Sequence, residues 1–261
     1  MIRWQEDWFT DAGFWEEYAP IMFDDAHWAE VPEVADGVTR LARLDLYSPK
    51  SGAAPGPRLL DLCCGFGRIS AELARRGFAV TGVDITESYL RTAREDAAAE
   101  TIEIEYLNAD ARSFRRPGFF DVAVNLYISF GYFEKAEDDI AMLENIHESL
   151  RPGGTCIIET LGKEIAVRDF VEAEWFERAG WTVLTEYEPV DSWTRLKNRW
   201  ILIKEGRRIE KIFTQRLYAA SELRRLLLDA GFASVDIYGD WDESAYDQQA
   251  AKLITVGRKK T

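Results

Sequence analysis

The sequence is poor in the residue types from which disulfide frameworks and metal sites are built. Only three cysteines and two histidines occur among 261 residues, and the adjacent Cys63 and Cys64 do not have the spacing of a disulfide set. Zinc sites pair cysteines a few residues apart with one another or with nearby histidines, whereas His27 and His147 are distant from this pair in the sequence. We therefore predict no metal site.

Long apolar runs and an excess of basic charge are also absent. No apolar stretch approaches the roughly eighteen residues of a membrane span, and residues 1–20 lack the basic and apolar regions of a signal peptide. With 32 basic and 46 acidic residues, the formal net charge of −14 disfavours binding to phosphate backbones and anionic lipid. We expect a cytoplasmic protein with a small-molecule partner and without a nucleic-acid or membrane partner.

Between residues 58 and 160, short apolar segments alternate with segments of helical period. The predicted strands lie at 58–62, 78–84, 102–107, 119–127 and 155–160, and the predicted helices at 68–76, 86–100 and 137–150. This alternation predicts right-handed crossovers and a parallel sheet with helices on both faces.

The pattern changes after residue 160. Residues 181–218 alternate without helical period, which is typical of antiparallel strands. Helical period returns at 221–232, and two more strands are predicted near 233–239 and 252–258.

Three parts of the chain follow from these patterns. A stretch rich in Pro, Gly and Ser at 48–57 separates the core from an aromatic N-terminal segment. We predict an N-terminal helical cover at 1–50 and an α/β domain at 55–261. That domain contains an antiparallel insertion at about 161–218.

The stretch DLCCGFGRIS, residues 61–70, follows the first predicted strand and opens a helix. Such a turn presents backbone N–H groups and the positive end of a helix dipole to a ligand, and Gly65 and Gly67 permit close approach. The fingerprint for nicotinamide dinucleotides, G-x-G-x-x-G, has glycine or alanine at the position that Ser70 occupies. The turn therefore favours a nucleotide-like ligand, and Ser70 opposes a nicotinamide dinucleotide.

Three acids stand at the ends of successive predicted strands. Asp61 would repel a pyrophosphate and attract an amine or a sulfonium, Asp84 can accept hydrogen bonds from ribose hydroxyls, and Asp110 can accept one from the adenine amino group. Together these acids predict an adenosine ligand with positive charge and no phosphate, a description that S-adenosylmethionine satisfies.

At these residues the chain resembles the class I S-adenosylmethionine-dependent methyltransferases. The resemblance covers about residues 55–160, through DLCCGFGRIS, GVDITESYL, NADAR, FDVAVNLYISFGYF and LRPGG, and beyond 161 it extends to members with an antiparallel insertion. It implies a Rossmann-like α/β fold with a mostly parallel seven-stranded sheet, helices on both faces and an N-terminal helical lid. It also implies in-line methyl transfer from S-adenosylmethionine to an unidentified small molecule, with S-adenosylhomocysteine as the product.

The resemblance further implies residues that contact the cofactor. Asp61 would hold the methionyl amino group, Asp84 the ribose and Ile85 the adenine, and Tyr18 would belong to the lid at 18–28. The full set of expected cofactor-binding residues is Asp61, Cys63, Gly65, Gly67, Asp84, Ile85, Asp110, Ala111, Asn125 and Tyr18.

Three residues are candidates for catalysis: Tyr127 after the fourth strand, Glu159 at the end of the fifth strand, and His27 in the aromatic N-terminal segment. Core packing and ordinary hydrogen bonding are the competing interpretations. The sequence also leaves open a non-enzymatic S-adenosylmethionine-binding protein, and a nicotinamide oxidoreductase that Ser70 and Asp61 oppose. It fixes neither the methylated atom nor the oligomeric state.

Overall fold

A computed structural model describes residues 7–43 and 56–261. The ends of the predicted cover at 1–50 and most of the predicted linker at 48–57 lie outside the described residues. Within the described ranges, no helix combines the length and the apolar character that crossing a bilayer requires.

The strands of the described residues form two sheets. They are β1 (Arg58–Leu62), β2 (Ala79–Asp84), β3 (Glu105–Asn108), β4 (Phe120–Asn125), β5 (Leu150–Thr160), β6 (Ala173–Arg178), β7 (Trp181–Val190), β8 (Arg195–Lys204), β9 (Arg207–Arg216), β10 (Ser234–Tyr238) and β11 (Leu253–Arg258). The larger sheet has the order β10-β11-β5-β4-β1-β2-β3. Strands β1 to β5 are parallel, whereas β11 runs antiparallel to β5 and β10. The predicted seven-stranded, mostly parallel sheet is therefore confirmed.

Helices cover this sheet on both faces. They are α1 (Ala12–Met22), α2 (Asp25–Ala29), α3 (Val31–Leu41), α4 (Arg68–Arg75), α5 (Glu87–Ala99), α6 (Ala136–Ser149), α7 (Lys163–Arg168) and α8 (Ala220–Asp229). Successive strand residues point to opposite faces. Leu60 and Ala123 pack in one apolar cluster with residues of α6 and α8, whereas Leu59 and Val122 pack in another with residues of α3 and α4. Burial on both faces explains why the central residues of β1 and β4 are apolar.

The second sheet comprises β6 to β9 in sequential antiparallel order. A two-residue loop joins β8 to β9, with Glu205 and Gly206 in the left-handed conformation, at φ of 50° and 78°, that such hairpin loops require. The sequence did not predict α7 or the edge strand β6. The strand β6 was not predicted because most of its side chains are exposed, including 69% of Trp175. A strand that is buried on neither face carries no apolar alternation.

The described part of the N-terminal segment is helical and packs onto both sheets. A short 3₁₀ turn, Trp8–Thr10, precedes α1, and the Trp8 indole donates a hydrogen bond to the Thr214 carbonyl of β9 at 3.2 Å. Residues of α3 pack in the apolar cluster that contains α4. This segment therefore bridges the insertion sheet and the helices that flank the central sheet.

Candidate active site

A cavity of about 450 Å³ lies where the carboxyl ends of β1, β2, β4 and β5 meet the N-terminal segment and the insertion sheet. The strand order reverses between β1 and β4, and ligands of open α/β sheets bind outside the carboxyl ends of the strands at such a switch point. The volume is within the usual range for small-molecule sites, roughly 300–1,000 Å³. Ten predicted site residues line this cavity: His27, Asp61, Cys63, Gly65, Asp84, Ile85, Asp110, Ala111, Tyr127 and Glu159.

The glycine turn shapes the floor of the cavity. Gly65 has a φ of 56°, and its N–H donates to Asp84 Oδ2 at 2.8 Å. A Cβ at this position would lie 3.1 Å from Cζ of the Phe23 ring, so the turn requires glycine for both its backbone conformation and the close approach of Phe23.

Gly67 was expected to contact the cofactor, but it does not line the cavity. A Cβ at Gly67 would lie 2.2 Å from the Tyr106 hydroxyl oxygen, and its φ is 71°. A glycine is therefore required at position 67 because the turn packs against Tyr106.

Asp61 at the end of β1 is buried, with only 4% of its surface exposed. Its Oδ2 accepts a hydrogen bond from the Ser70 hydroxyl at 2.6 Å. Burial, helped by the nearby charge of Asp84 and opposed by Ser70, raises the pKa of Asp61 to about 6. A cationic ligand group beside this carboxylate would lower that pKa and stabilise the charged form.

Asp84 at the end of β2 uses both carboxylate oxygens to hold the backbone. Oδ2 accepts from Gly65 N–H and Oδ1 from Thr86 N–H, each at 2.8 Å. Burial raises the pKa of Asp84, while these backbone N–H groups oppose the shift. Each oxygen keeps a further lone pair, so the carboxylate can also accept hydrogen bonds from a ligand.

Asp110, which follows β3, is paired with Arg112. The guanidinium donates to Asp110 Oδ2 from Nη2 at 2.7 Å, and its Nε lies 3.0 Å from Oδ2 and 3.1 Å from Oδ1. Burial raises the pKa of Asp110, but the hydrogen bonds and charge of Arg112 outweigh burial and lower it. Asp110 is therefore held ionised and fixed in orientation, a role for Arg112 that the sequence did not predict.

Tyr18 and Asn125 were also expected to contact the cofactor, and neither lines the cavity. The Tyr18 ring is fully buried, stacks on Phe14 at 4.9 Å between centroids, and donates to the Trp200 carbonyl at 2.8 Å. Asn125 is fully buried and donates to the Leu62 carbonyl at 2.9 Å. These two hydrogen bonds join neighbouring elements, whereas the buried Asn125 Oδ1 has no hydrogen-bond partner among the described residues.

The loop after β4 has a strained backbone. Tyr127 and Ile128 have φ values of 53° and 63°, a conformation that costs energy for such side chains. Glu159 Oε2 accepts from Tyr127 N–H at 2.5 Å, and the Gln215 amide donates to the Ile128 carbonyl at 3.3 Å. The loop conformation therefore depends on residues of β5 and β9.

Glu159 is only 6% exposed, yet it lines the cavity. Burial raises the pKa of this carboxyl, and the nearby charge of Lys252 and the Tyr127 N–H oppose that shift. A carboxyl group with a raised pKa can exchange protons nearer to neutral pH than an ordinary glutamate.

Arg68 packs against Tyr127 and is a site residue that the sequence reasoning missed. Its guanidinium carbon lies 3.7 Å from the centroid of the Tyr127 ring, a cation–π geometry. Burial raises the pKa of the Tyr127 phenol to about 12, and its hydroxyl has no hydrogen-bond partner among the described residues. The signal that could have indicated Arg68 was its place in DLCCGFGRIS, directly after the second glycine.

His27 lies in α2 and is oriented by a carboxylate. Asp24 Oδ1 lies 2.5 Å from His27 Nδ1, and Asp24 Oδ2 lies 3.2 Å from Arg178 Nε. Burial raises the pKa of Asp24, but its hydrogen bonds with His27 and the charge of Arg178 lower it overall. An ionised Asp24 requires the proton on Nδ1, which leaves Nε2 of a neutral ring as a proton acceptor.

Aromatic rings form the side of the cavity remote from the glycine turn. This aromatic wall consists of Trp8, Trp15, Tyr132, Trp200 and Phe213. Trp8 lies 4.8 Å from Tyr132 and 4.7 Å from Phe213 between ring centroids, and Phe213 lies 6.0 Å from Trp200. The wall joins the N-terminal segment, the loop after β4 and the insertion sheet.

Comparison with known proteins identifies the fold and a family match over part of the chain. Residues 59–154 match a family described as methyltransferase domain. An S-adenosylmethionine-dependent methyltransferase from Clostridium acetobutylicum ATCC 824 superimposes with a TM-score of 0.75 at 12% identity, over 95% of this chain and 98% of that chain. This likeness shows that the chain has the fold of S-adenosylmethionine-dependent methyltransferases, with the methyltransferase-domain match at residues 59–154.

Two further proteins illustrate what the chain is similar to. The ubiquinone biosynthesis O-methyltransferase of Aeromonas salmonicida (strain A449) is 34% identical over 123 residues, 46% of this chain and 50% of that protein. The S-adenosylmethionine-bound CalS10, an amino pentose methyltransferase from Micromonospora echinaspora, has a TM-score of 0.67 at 19% identity, over 95% and 97% of the two chains. The chain spans 42% to 60% of the length of the ubiquinone biosynthesis O-methyltransferases to which it was compared.

Proposed function

We propose that this protein transfers the methyl group of S-adenosylmethionine to a small molecule. The observation that supports this most directly is the placement of Asp61, Asp84 and Asp110 around one cavity that continues to an aromatic wall. S-adenosylmethionine carries an ammonium, a sulfonium and ribose hydroxyls and has no phosphate. A set of carboxylates suits these groups and would repel a phosphorylated nucleotide.

The residues that would hold the cofactor follow from this arrangement. Asp61 would bind the ammonium group, Asp84 the ribose hydroxyls and Asp110 the adenine amino group. Ile85 and Ala111 line the cavity beside these acids and would contact the adenine. When bound, the cofactor supplies an electrophilic methyl group on its sulfonium.

The protein itself would mainly position the reactants and exclude water. Holding two reactants in line can lower a barrier by roughly 7–11 kcal/mol. The aromatic wall provides an apolar surface for an acceptor next to the loop of Tyr127. We also propose that the N-terminal cover at 1–50 and the insertion at 161–218 enclose this acceptor space on the domain at 55–261.

An acceptor that is protonated at neutral pH needs a base. His27 suits this role because Asp24 occupies its Nδ1, and its Nε2 can receive the proton. Glu159 is a second candidate base, although its contact with Tyr127 N–H gives it a role in holding the loop. The Tyr127 hydroxyl, which lacks a partner within the described residues, can donate to the acceptor.

Two measurements test this function. Calorimetric titration with S-adenosylhomocysteine should give a single site, whereas NAD should not bind. Incubation with labelled S-adenosylmethionine and a metabolite pool should then label one class of small molecule. NAD binding without S-adenosylhomocysteine binding would contradict the proposal, and cofactor binding without any labelled product would indicate a non-enzymatic binding protein. The cytoplasmic location stays a prediction.

A further inference from the structure

The proposed roles of Asp61, Asp84 and Asp110 leave one group of S-adenosylmethionine without a partner. Its methionyl end carries a carboxylate as well as an ammonium, and Asp61, which would bind the ammonium, repels the carboxylate. A cation beside Asp61 is therefore required to bind both ends of this zwitterion tightly.

Four cationic or protonatable side chains line the cavity: His27, Arg68, Arg178 and Lys252. His27 and Arg178 are both engaged with Asp24. Lys252 stands at the start of β11 and interacts electrostatically with Glu159. Arg68 alone among these four belongs to the stretch that contains the glycine turn, seven residues after Asp61, and its charge acts on Asp61.

Arg68 is also prepared for such a role. It begins α4 and is only 5% exposed, and Nη1 donates to the His27 carbonyl at 2.5 Å. That bond and the Tyr127 ring fix the plane of the guanidinium. No other hydrogen bond joins Arg68 to the described residues, and its remaining donor nitrogens are not among the buried unpartnered atoms. A guanidinium with free donors in a cavity matches the geometry of a carboxylate.

We propose that Arg68 binds the methionyl carboxylate of S-adenosylmethionine, while Asp61 binds the methionyl ammonium. This assignment rests on the proposed function, because it concerns the same cofactor. The first turn of α4 adds the positive end of its dipole to the same anion. Two neighbouring residues of opposite charge would thus recognise the amino-acid end of the cofactor, separately from its adenosine end.

The test compares two ligands that differ in that end. S-adenosylhomocysteine carries the amino-acid group, and 5′-methylthioadenosine lacks it. In calorimetric titrations, Arg68→Met should raise the Kd of S-adenosylhomocysteine roughly 10- to 100-fold, the value of a hydrogen-bonded charge pair. The Kd of 5′-methylthioadenosine should change less than about 3-fold, and Arg68→Lys should restore part of the lost affinity.

Arg75→Met is the matched control, because Arg75 lies on the same helix and pairs with Glu100 on the surface. It should leave both dissociation constants unchanged. Equal weakening of the two ligands by Arg68→Met would assign Arg68 to holding Tyr127 and His27 and would overturn the inference. An unchanged affinity for S-adenosylhomocysteine would also overturn it while leaving the proposed function intact, and wild-type protein that binds neither ligand would overturn both.

Discussion

The two sides of the cavity are built on different principles. The side at the carboxyl ends of β1 to β3 carries short acidic side chains whose positions follow from the strand ends, and backbone N–H groups hold them. The side formed by the N-terminal segment and the insertion sheet carries large rings from residues as far apart as Trp8 and Phe213. The first side suits the proposed cofactor, and the second suits the proposed acceptor.

The charged side chains and the packed aromatic rings thus lie in separate parts of the site. Asp61, Asp84 and Asp110 are fixed by local hydrogen bonds within the central sheet and its loops. The aromatic wall exists only because α1 and β9 meet, as the bond from Trp8 to the Thr214 carbonyl shows. Substitutions on the two sides should therefore affect different measurements.

The largest effect is expected for Asp84→Ala. The substitution removes the proposed acceptor of the ribose hydroxyls and leaves the N–H groups of Gly65 and Thr86 without their partner. Calorimetry should show a loss of S-adenosylhomocysteine affinity of about 100-fold or more, since hydrogen bonds to a charged group contribute about 1.5–3 kcal/mol each. Asp229→Ala, at an acid that pairs with Arg225 on the surface, serves as the control. Retained affinity would remove Asp84 from the cofactor site.

A second large effect is expected for His27→Gln on the acceptor side. Loss of a general base typically slows turnover by about 100- to 10,000-fold, whereas S-adenosylhomocysteine affinity should stay near that of the wild type. Turnover would be measured with the acceptor found in the labelling screen. If Glu159→Gln slows the reaction while His27→Gln does not, the base is Glu159. That result would place the proton acceptor near the end of β5.

Asp61→Asn should change the free energy of unfolding and the affinity for S-adenosylhomocysteine in opposite directions. Burial raises the pKa of Asp61 from 3.8 to about 6, so the folded protein binds this proton more tightly than the unfolded chain. The resulting stabilisation is complete below pH 3.8 and is lost as the pH rises through 6, a difference of up to about 3 kcal/mol.

Denaturant unfolding of the wild type should therefore show a steeper loss of free energy between pH 4 and pH 7 than unfolding of Asp61→Asn. At pH 7 the variant should be the more stable protein, yet it should bind S-adenosylhomocysteine more weakly. Parallel pH profiles for the two proteins would show that burial does not raise the pKa of Asp61 in the absence of cofactor.

The smallest effect is expected for Tyr18→Phe. This change removes the hydrogen bond to the Trp200 carbonyl and should lower the free energy of unfolding by about 1 kcal/mol. Because Tyr18 does not line the cavity, S-adenosylhomocysteine affinity should change less than about 2-fold. A larger loss of affinity would restore Tyr18 to the cofactor site that the sequence suggested.

The sequence by itself determined the central sheet, the glycine turn and the acids at the strand ends. Alternating periods of apolar residues define buried parallel strands, and the carboxyl ends of such strands meet at one edge. Asp61, Asp84 and Asp110 therefore lie on the cavity where the spacing placed them. The edge strand β6 escaped prediction because its side chains are exposed.

Only the tertiary structure decided which polar residues face the cavity and which are enclosed by packing. Gly67, Asn125 and Tyr18 lie close to site residues in the sequence, yet each is enclosed by another part of the protein. Gly67 packs against Tyr106, Asn125 donates to the Leu62 carbonyl, and Tyr18 donates to the Trp200 carbonyl. Arg68 shows the reverse, since its place over Tyr127 depends on a loop that is 59 residues away. The periodicity of the sequence predicts the face of a strand or helix on which a side chain lies. Contacts between segments that are distant in the sequence determine what that side chain packs against.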